Sequence, residues 1–154
     1  MTASHTETIA SFAMFEGYTS YGLDVLLERG KVVELLSGQL LYQEGEAADF
    51  VALVISGTLE LFVSSSVGEQ HLTKAGASRL LGELAVLAGA HRAMSARASE
   101  PTVVLQWNAD AFRRLLSSDA ELSQRMFRET FRSIVEERES LVASLASARK
   151  RLDQ

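Results

Sequence analysis

The hydrophobic pattern divides the chain into three parts. Apolar positions recur at helical spacing from residue 9 to residue 27 and are interrupted near 17–22, which predicts two short helices, the second ending at Gly30. The polar residues 1–8 before them are expected to be frayed. From Lys31 onward the apolar runs are short, β-branched and separated by glycines, a pattern typical of strands. The predicted strands are 32–36, 39–42, 50–55, 58–63, 71–74 and 102–107.

Short strands with regular turn signals between them predict a β-sandwich or jelly-roll barrel. The turn signals include Gly45 and Gly57, which we expect at backbone positions with positive φ. No helical segments alternate with the strands, which argues against a parallel α/β sheet. The predicted fold class is therefore α+β, with a sandwich or jelly roll between short N-terminal helices and a long C-terminal helix.

After the last strand, the pattern is helical to the end of the chain. A short helix is predicted to begin near Asn108, and Ser118 or Asp119 can cap a second helix that contains neither proline nor glycine. The chain then divides into 1–117, the β-roll with its N-terminal helices, and 118–154, a C-terminal helix of the same domain. One apolar seam of this helix alternates by four and three residues: Phe127, Phe131, Ile134, Arg138, Leu141, Leu145, Ala148 and Leu152.

Such a seam is typical of a heptad repeat, so we predict that the long helix pairs between two subunits. The alternative is a single helix that packs on its own domain. Arg138 is the charged member of the seam, and burial of an unpaired guanidinium would be costly. We expect either Glu137 of a neighbouring chain or a bound ligand to pair with it.

Composition narrows the classes of function. The 154 residues fit one domain. A formal charge of −5 and a pI near 5.2 argue against a nucleic-acid surface, and the basic cluster 149–151 has an electrostatic reason to lie at a helix C-terminus without DNA. The absence of cysteine excludes disulfides and thiolate sites. Without a signal-peptide pattern or a bilayer-length apolar segment, the expected protein is cytoplasmic and not inserted in a membrane.

The stretch with the most chemical information is Gly82–Arg97, with the sequence GELAVLAGAHRAMSAR. Gly82 lets the backbone approach a ligand, and the residues after it can begin a short helix whose first N–H groups favour a phosphate. Arg92 can fold back onto the same phosphate, and Ser95 adds a hydroxyl donor nearby. The carboxylate of Glu83 would repel a phosphate and is expected to face a sugar hydroxyl instead. Together these groups describe a pocket for a cyclic nucleotide.

The same stretch resembles the phosphate-binding cassette of cyclic-nucleotide-binding domains, which occur in kinase regulatory subunits, gated channels and catabolite-activator-type regulators. The family pattern is roughly FGELALL and, after a variable piece, PRAATV. Residues 81–87 and 91–96 match it, with Leu81 in place of the usual aromatic residue and His91 in place of proline. The resemblance extends over about residues 32–116. It implies these ligand-binding residues: Gly82, Glu83, Leu84, Ala85, Arg92, Ala93, Ser95 and Arg138.

The resemblance also implies a role for each group of the cassette. Glu83 would accept a hydrogen bond from the ribose 2′-hydroxyl. Arg92 and the N–H groups of Leu84, Ala85 and Ala93 would bind the phosphate. In the family, alanine directly after the arginine goes with cAMP, whereas a hydroxyl residue there helps cGMP. Ala93 therefore favours cAMP, with cGMP as the other possible ligand.

In catabolite-activator-like members and some channels, the corresponding long helix lies over the base and gives it a polar or cationic cap. That relation makes Arg138 the expected cap, although activator-type members have hydroxyl residues here. Thr130 and Ser133, one or two turns earlier, are the weaker candidates.

The expected function is that of a cytoplasmic, non-enzymatic cyclic-nucleotide sensor. It would form a homodimer through the C-terminal helix and signal to an effector protein of unknown identity by rearranging that helix, without binding DNA. No catalytic residue, metal site or further cofactor is predicted, because there is no nucleophile elbow and no pair of histidines at ligand spacing. The alternatives are a nucleotide-independent dimerisation or interaction module of the same fold, a regulatory fragment of a larger channel, transporter, kinase or regulator, and a cupin-like enzyme.

Overall fold

The computed structural model describes residues 2–153, and within them eight strands form two four-stranded antiparallel sheets. The strands are β1 Lys31–Leu35, β2 Leu40–Tyr42, β3 Phe50–Ser56, β4 Leu59–Ser65, β5 Gly68–Ala75, β6 Leu80–Leu81, β7 Ser95–Ala98 and β8 Thr102–Asn108. One sheet has the order β1-β8-β3-β6 and the other β2-β7-β4-β5. This exchange of strands between two facing sheets is a jelly roll, and it confirms the predicted fold class.

All six predicted strands are present, but the sequence pattern does not predict β6 and β7. β7 consists mainly of alanine and serine residues with weak strand preference, yet it lies between β2 and β4 and pairs with both. β6 has only two residues and pairs with β3. In both strands, pairing with neighbours decides the backbone conformation. Gly45 and Gly57 have φ values of +88° and +91°, as predicted.

The core has two layers, and β3 is buried on both of its faces. Val51 and Leu53 pack among the helices, whereas Ala52 and Val54 point between the two sheets. This alternation follows from the two-residue period of a strand. Trp107 on β8 is buried on the helical side, where its Nε1–H donates to the carbonyl oxygen of Leu26 at 2.9 Å. The indole is therefore a core group.

Before the first strand, the chain forms three short helical segments: α1 Thr2–Ala10, a 3₁₀ helix Ala13–Phe15 and α2 Ser20–Arg29. The expectation that residues 1–8 are frayed is wrong for 2–8, while Met1 lies outside the described residues. The burial of Ile9 in the core explains the difference, because it anchors the last turn of α1. Gly30 follows the last residue of α2, as predicted.

The remaining helices are α3 Glu83–Ala88, α4 Ala109–Ser118 and α5 Ala120–Leu152. Asn108 caps α4 by accepting from the N–H of Ala111 at 2.8 Å, and Asp119 caps α5 by accepting from the N–H of Leu122 at 3.0 Å. None of the helices in the described residues is long and apolar enough to cross a membrane.

The buried residues in the described part of α5 all lie in its first half. Leu122, Met126, Thr130 and Ser133 are buried, and no residue after Ser133 in the described part of α5 is. The predicted apolar seam is largely exposed in the single chain. Phe131 and Leu141, for example, each keep 62% of their accessible surface.

Candidate functional site

The turn from β6 into α3 has a backbone conformation that favours glycine. Gly82 has a φ of +82°, and a Cβ at this position would collide with Nη1 of Arg92. α3 begins at the next residue and ends before Gly89, which has a φ of +66°. The first N–H groups of α3 have no carbonyl partner within the helix, so they can donate to an anion.

A cavity of about 150 Å³ lies beside this turn, between the jelly roll, α3 and α5. It is smaller than the roughly 300–1,000 Å³ that is usual for small-molecule sites. The cavity is lined by Tyr42, Leu61, Arg79, Leu80, Leu81, Gly82, Glu83, Leu84, Ala85, Arg92, Ala93, Met94 and Glu137.

Arg92 is a buried cation, with only 3% of its surface exposed. Its Nη2 donates to the carbonyl oxygen of Phe50 at 2.6 Å, and its Nη1 donates to that of Gly82 at 3.3 Å. The guanidinium carbon lies 4.2 Å from the ring centre of Tyr42 and 4.7 Å from that of Phe50. Burial lowers the pKa of Arg92, but the ordinary pKa of arginine is so high that the side chain stays charged at neutral pH. No carboxylate of the described residues forms an ion pair with it.

Glu83 is a buried carboxylate that touches α5. The hydroxyl of Thr130 donates to its Oε1 at 3.3 Å. Burial raises the pKa of Glu83, and hydrogen bonds from its own backbone N–H and from Thr130 offset part of that increase. The carboxylate is therefore short of donors in its present surroundings.

Arg79 and Glu137 join the jelly roll to α5 at the same cavity. Arg79 directly precedes β6, and its Nη2 donates to Oε1 of Glu137. The pair lies within one chain, so Glu137, one of the two expected partners of Arg138, is already paired with Arg79.

Three buried side-chain atoms of the described residues lack a hydrogen-bond partner: Arg79 Nε, Glu83 Oε2 and Arg92 Nε. All three residues line the cavity. A buried polar atom without a hydrogen-bond partner lowers the stability of the folded protein by about 1–3 kcal/mol, and by more when the group is charged. Three such atoms around one cavity are therefore not explained by a purely structural role of these residues. The arrangement suits a ligand that brings an acceptor to the guanidinium groups and a donor to the carboxylate.

The model of the cyclic nucleotide-binding domain family matches residues 32–119, more than half of the 154 residues, including the turn at Gly82 and all of α3. The chain belongs to this family. The match covers the whole region over which the sequence resembles these domains, and it ends directly before α5 begins.

Relatives of this cyclic nucleotide-binding domain include two proteins of Mycobacterium tuberculosis. An uncharacterized protein is 33% identical over 92 residues, which are 60% of this chain and 18% of that protein. A CRP-like cAMP-activated global transcriptional regulator is 25% identical over 123 residues, which are 79% of this chain and 55% of the regulator. The chain thus spans about a fifth and about half of their lengths.

Among solved structures, a cyclic nucleotide-binding domain from Methylobacillus flagellatus matches with a TM-score of 0.77 at 20% identity. The match covers 92% of this chain and 83% of that one. At this level of identity, the likeness shows that the two chains share a fold.

Six of the eight predicted site residues of this cyclic nucleotide-binding domain line the cavity: Gly82, Glu83, Leu84, Ala85, Arg92 and Ala93. Ser95 lies outside the lining, where its buried hydroxyl oxygen accepts from the N–H of Glu44 at 2.8 Å. Arg138 is exposed on α5 and shares a shallow surface groove with Val135 and Val142.

Among the polar lining residues, sequence reasoning does not predict Tyr42 and Arg79. Both lie outside the cassette, on β2 and just before β6, and each contacts a residue that is distant in the chain. Two weak signals were available. Tyr42 is an aromatic residue next to a turn, and Arg79 is a charged residue beside an apolar pair at the entry to the cassette.

Proposed function

We propose that this chain is a regulatory sensor that binds a cyclic nucleotide, preferentially cAMP, in the cavity beside α3. The observation that carries the proposal is that the three described residues with an unpartnered buried atom, Arg79 (Nε), Glu83 (Oε2) and Arg92 (Nε), all line that cavity. A cyclic nucleotide carries a phosphodiester and a ribose 2′-hydroxyl close together, and so supplies both the acceptor and the donor that these atoms lack.

Each contact in this proposal uses a group that the cavity presents. Arg92 and the N–H groups of Leu84, Ala85 and Ala93 would hold the phosphate, and Glu83 would accept from the ribose hydroxyl. Arg92 exchanges carbonyl partners for phosphate oxygens, which form stronger, charge-assisted hydrogen bonds. The methyl side chain at Ala93 and the similarity to a regulator described as cAMP-activated support cAMP over cGMP.

The output of the sensor would be the position of α5. Two cavity residues contact this helix, since Glu83 bonds to Thr130 and Arg79 pairs with Glu137. A nucleotide that binds one position of α5 more tightly than another shifts the helix toward the favoured position. We propose that two copies of the chain pair through the exposed seam of α5, in the cytoplasm, and present the rearranged helices to an effector protein.

Calorimetric titration with cAMP and, separately, cGMP tests this function. Wild type should bind cAMP with micromolar or better affinity and cGMP more weakly. Arg92→Ala should weaken cAMP binding by about 2–5 kcal/mol, which is roughly 30-fold or more. The matched control is Arg97→Ala, because Arg97 also lies over an aromatic ring, 4.3 Å from the centre of Phe62, but lines no part of the cavity.

Thermal unfolding of each variant shows whether it is folded. The proposal holds if folded Arg92→Ala loses the binding that Arg97→Ala keeps. Absence of heat and of a thermal shift with both nucleotides would contradict it. That result would favour the second candidate function, a nucleotide-independent dimerisation or interaction module, which the exposed apolar seam of α5 supports.

A further inference from the structure

Arg79 combines a fixed backbone with a side chain that has one partner on another element. Its carbonyl oxygen accepts from the N–H of Val54 at 3.0 Å, and its own N–H donates to the carbonyl oxygen of Gly76 at 3.3 Å. The side chain is largely buried, with 18% of its surface exposed, and crosses to Glu137 on α5. The backbone bonds hold the residue at the edge of the cavity, while Glu137 decides where the guanidinium points.

This ion pair differs from an ordinary structural one. Arg97 and Glu69 form a bidentate pair on the other sheet, with N···O distances of 2.7 and 3.0 Å, and leave no buried atom without a partner. The Nε of Arg79, by contrast, is buried and has no partner among the described residues, although the side chain is already paired at Nη2. Pairing with Glu137 therefore uses only some of the N–H donors of the Arg79 guanidinium.

The charges around the cavity explain how that capacity can be used. Two guanidinium groups, Arg79 and Arg92, and two carboxylates, Glu83 and Glu137, line the cavity. An anionic nucleotide adds negative charge to this set, so it competes with Glu137 for the guanidinium of Arg79. A guanidinium has five donors in one rigid plane, so turning it toward an acceptor atom of the ligand turns it away from Glu137.

We propose that Arg79 is a second nucleotide-binding arginine and that Glu137 on α5 restrains it. The inference rests on the proposed function and adds a form of regulation to the same site. Glu137 competes with the nucleotide for Arg79, so ligand binding weakens a tie between the jelly roll and α5. Arg79 raises nucleotide affinity and Glu137 lowers it.

Substitutions of the two partners should therefore shift cAMP affinity in opposite directions. Arg79→Met keeps much of the apolar stem, removes the donors and should weaken cAMP binding about tenfold or more. Glu137→Gln keeps the shape, removes the charge that holds Arg79 and should tighten cAMP binding about two- to fivefold, the range expected for loss of a partly exposed ion pair. Arg79→Lys, which keeps the charge but loses the fork of donors, should fall between wild type and Arg79→Met.

The control pair is Arg97→Met and Glu69→Gln, since the same two residue types form an ion pair there and line no part of the cavity. Both controls should bind cAMP as wild type does. Thermal unfolding confirms that each protein is folded, and Arg79→Lys serves as the folded variant if Arg79→Met does not fold.

The opposite signs separate this inference from its competitors. Equal weakening by Arg79→Met and Glu137→Gln would overturn it, because the pair would then act only by fixing α5. Unchanged affinity in both would also overturn it. If wild type binds neither cAMP nor cGMP, both the proposed function and this inference are wrong. If wild type binds cAMP but the Arg79 and Glu137 variants bind it with the same affinity, only this inference is wrong.

Discussion

Tyr42 and Phe50 surround the guanidinium of Arg92 with neutral rings, at 4.2 and 4.7 Å from their centres. Burial raises the pKa of Tyr42 to about 12, so its hydroxyl stays protonated at neutral pH and the ring interacts with Arg92 through its π face. These contacts orient the arginine without neutralising it. Its charge remains available to a phosphate.

Tyr42→Leu should weaken cAMP binding about three- to tenfold, since a partly desolvated cation–π contact contributes on the order of 0.5–2 kcal/mol. Tyr42→Phe keeps the ring and should bind nearly as wild type does. Calorimetry on the double variant Tyr42→Leu with Arg92→Ala tests whether Tyr42 acts through the arginine. If the double variant binds cAMP more weakly than Arg92→Ala alone, Tyr42 contributes to binding independently of the arginine. Tyr21→Leu, at a tyrosine that is 78% exposed, is the control.

The sequence predicts the residues on the cassette side of the cavity but not those of its opposite wall. Gly82, Glu83 and Arg92 occur within eleven residues, on the turn before α3, at its first position and in the loop after it, so their short separation in the chain favours a common site. Arg79 meets Glu137 only because α5 crosses the jelly roll, 58 residues later in the chain. Such a contact depends on tertiary packing, which local spacing does not encode.

At the scale of elements, α5 has two distinct halves. Its first turns are tied down by the Asp119 cap and by Tyr18, whose hydroxyl donates to Asp119. Arg125 adds hydrogen bonds from Nη1 to the carbonyl oxygens of Met14 and Glu16, at 2.9 and 2.7 Å. The second half leaves its apolar seam exposed over several turns. Movement of α5 would therefore pivot near its N-terminus and be largest at the seam.

The exposed seam predicts a dimer that charged residues would dissociate. The double variant Leu141→Glu, Leu145→Glu should sediment as a monomer when wild type sediments as a dimer. Each buried leucine contributes about 1.5–3 kcal/mol, so the dimer should weaken at least 100-fold. Ser140→Glu with Ser147→Glu adds the same charge outside the seam and should stay dimeric. A monomeric wild type would contradict the seam's role.

Strands and helices differ in how well the pattern predicts them. The long helix has no glycine or proline after residue 119, and β3 has a continuous apolar run, so both are evident. The sequence pattern does not make α1 and β7 evident, because their residues are mostly polar or small. α1 depends on Ile9 in the core, and β7 depends on pairing with β2 and β4. Their structure depends on the rest of the domain.

At the scale of the whole molecule, the buried Glu83 carboxylate lowers the stability of the nucleotide-free protein as pH rises. Its pKa is higher in the folded chain than the ordinary value of 4.5, because burial disfavours the charged form. The folded state therefore holds its proton over a range where the unfolded state has lost it. The contribution of Glu83 to the free energy of unfolding is fully present below the ordinary pKa. It is lost as the pH rises through the higher pKa of the folded state.

Glu83→Gln should remove that dependence while weakening cAMP binding. Urea unfolding at pH 5 and pH 8 measures the free energy of unfolding of both proteins. The difference in free energy of unfolding, variant minus wild type, should be more positive at pH 8 than at pH 5. Glu34→Gln, at an exposed carboxyl on β1, is the control and should follow wild type. A pH dependence that is equal in Glu83→Gln and wild type would contradict the role of this carboxylate.

The narrowness of the cavity, about 150 Å³, has a consequence for timing. Under the proposed function, a nucleotide larger than this space would enter while α3 and α5 are displaced from the jelly roll, and the rate of that displacement would limit how fast the site fills once nucleotide is abundant. The affinity measured at equilibrium is also reduced by the fraction of time that the site is closed. The proposed sensor would therefore average the nucleotide concentration over its own opening time and respond to sustained changes while ignoring brief ones.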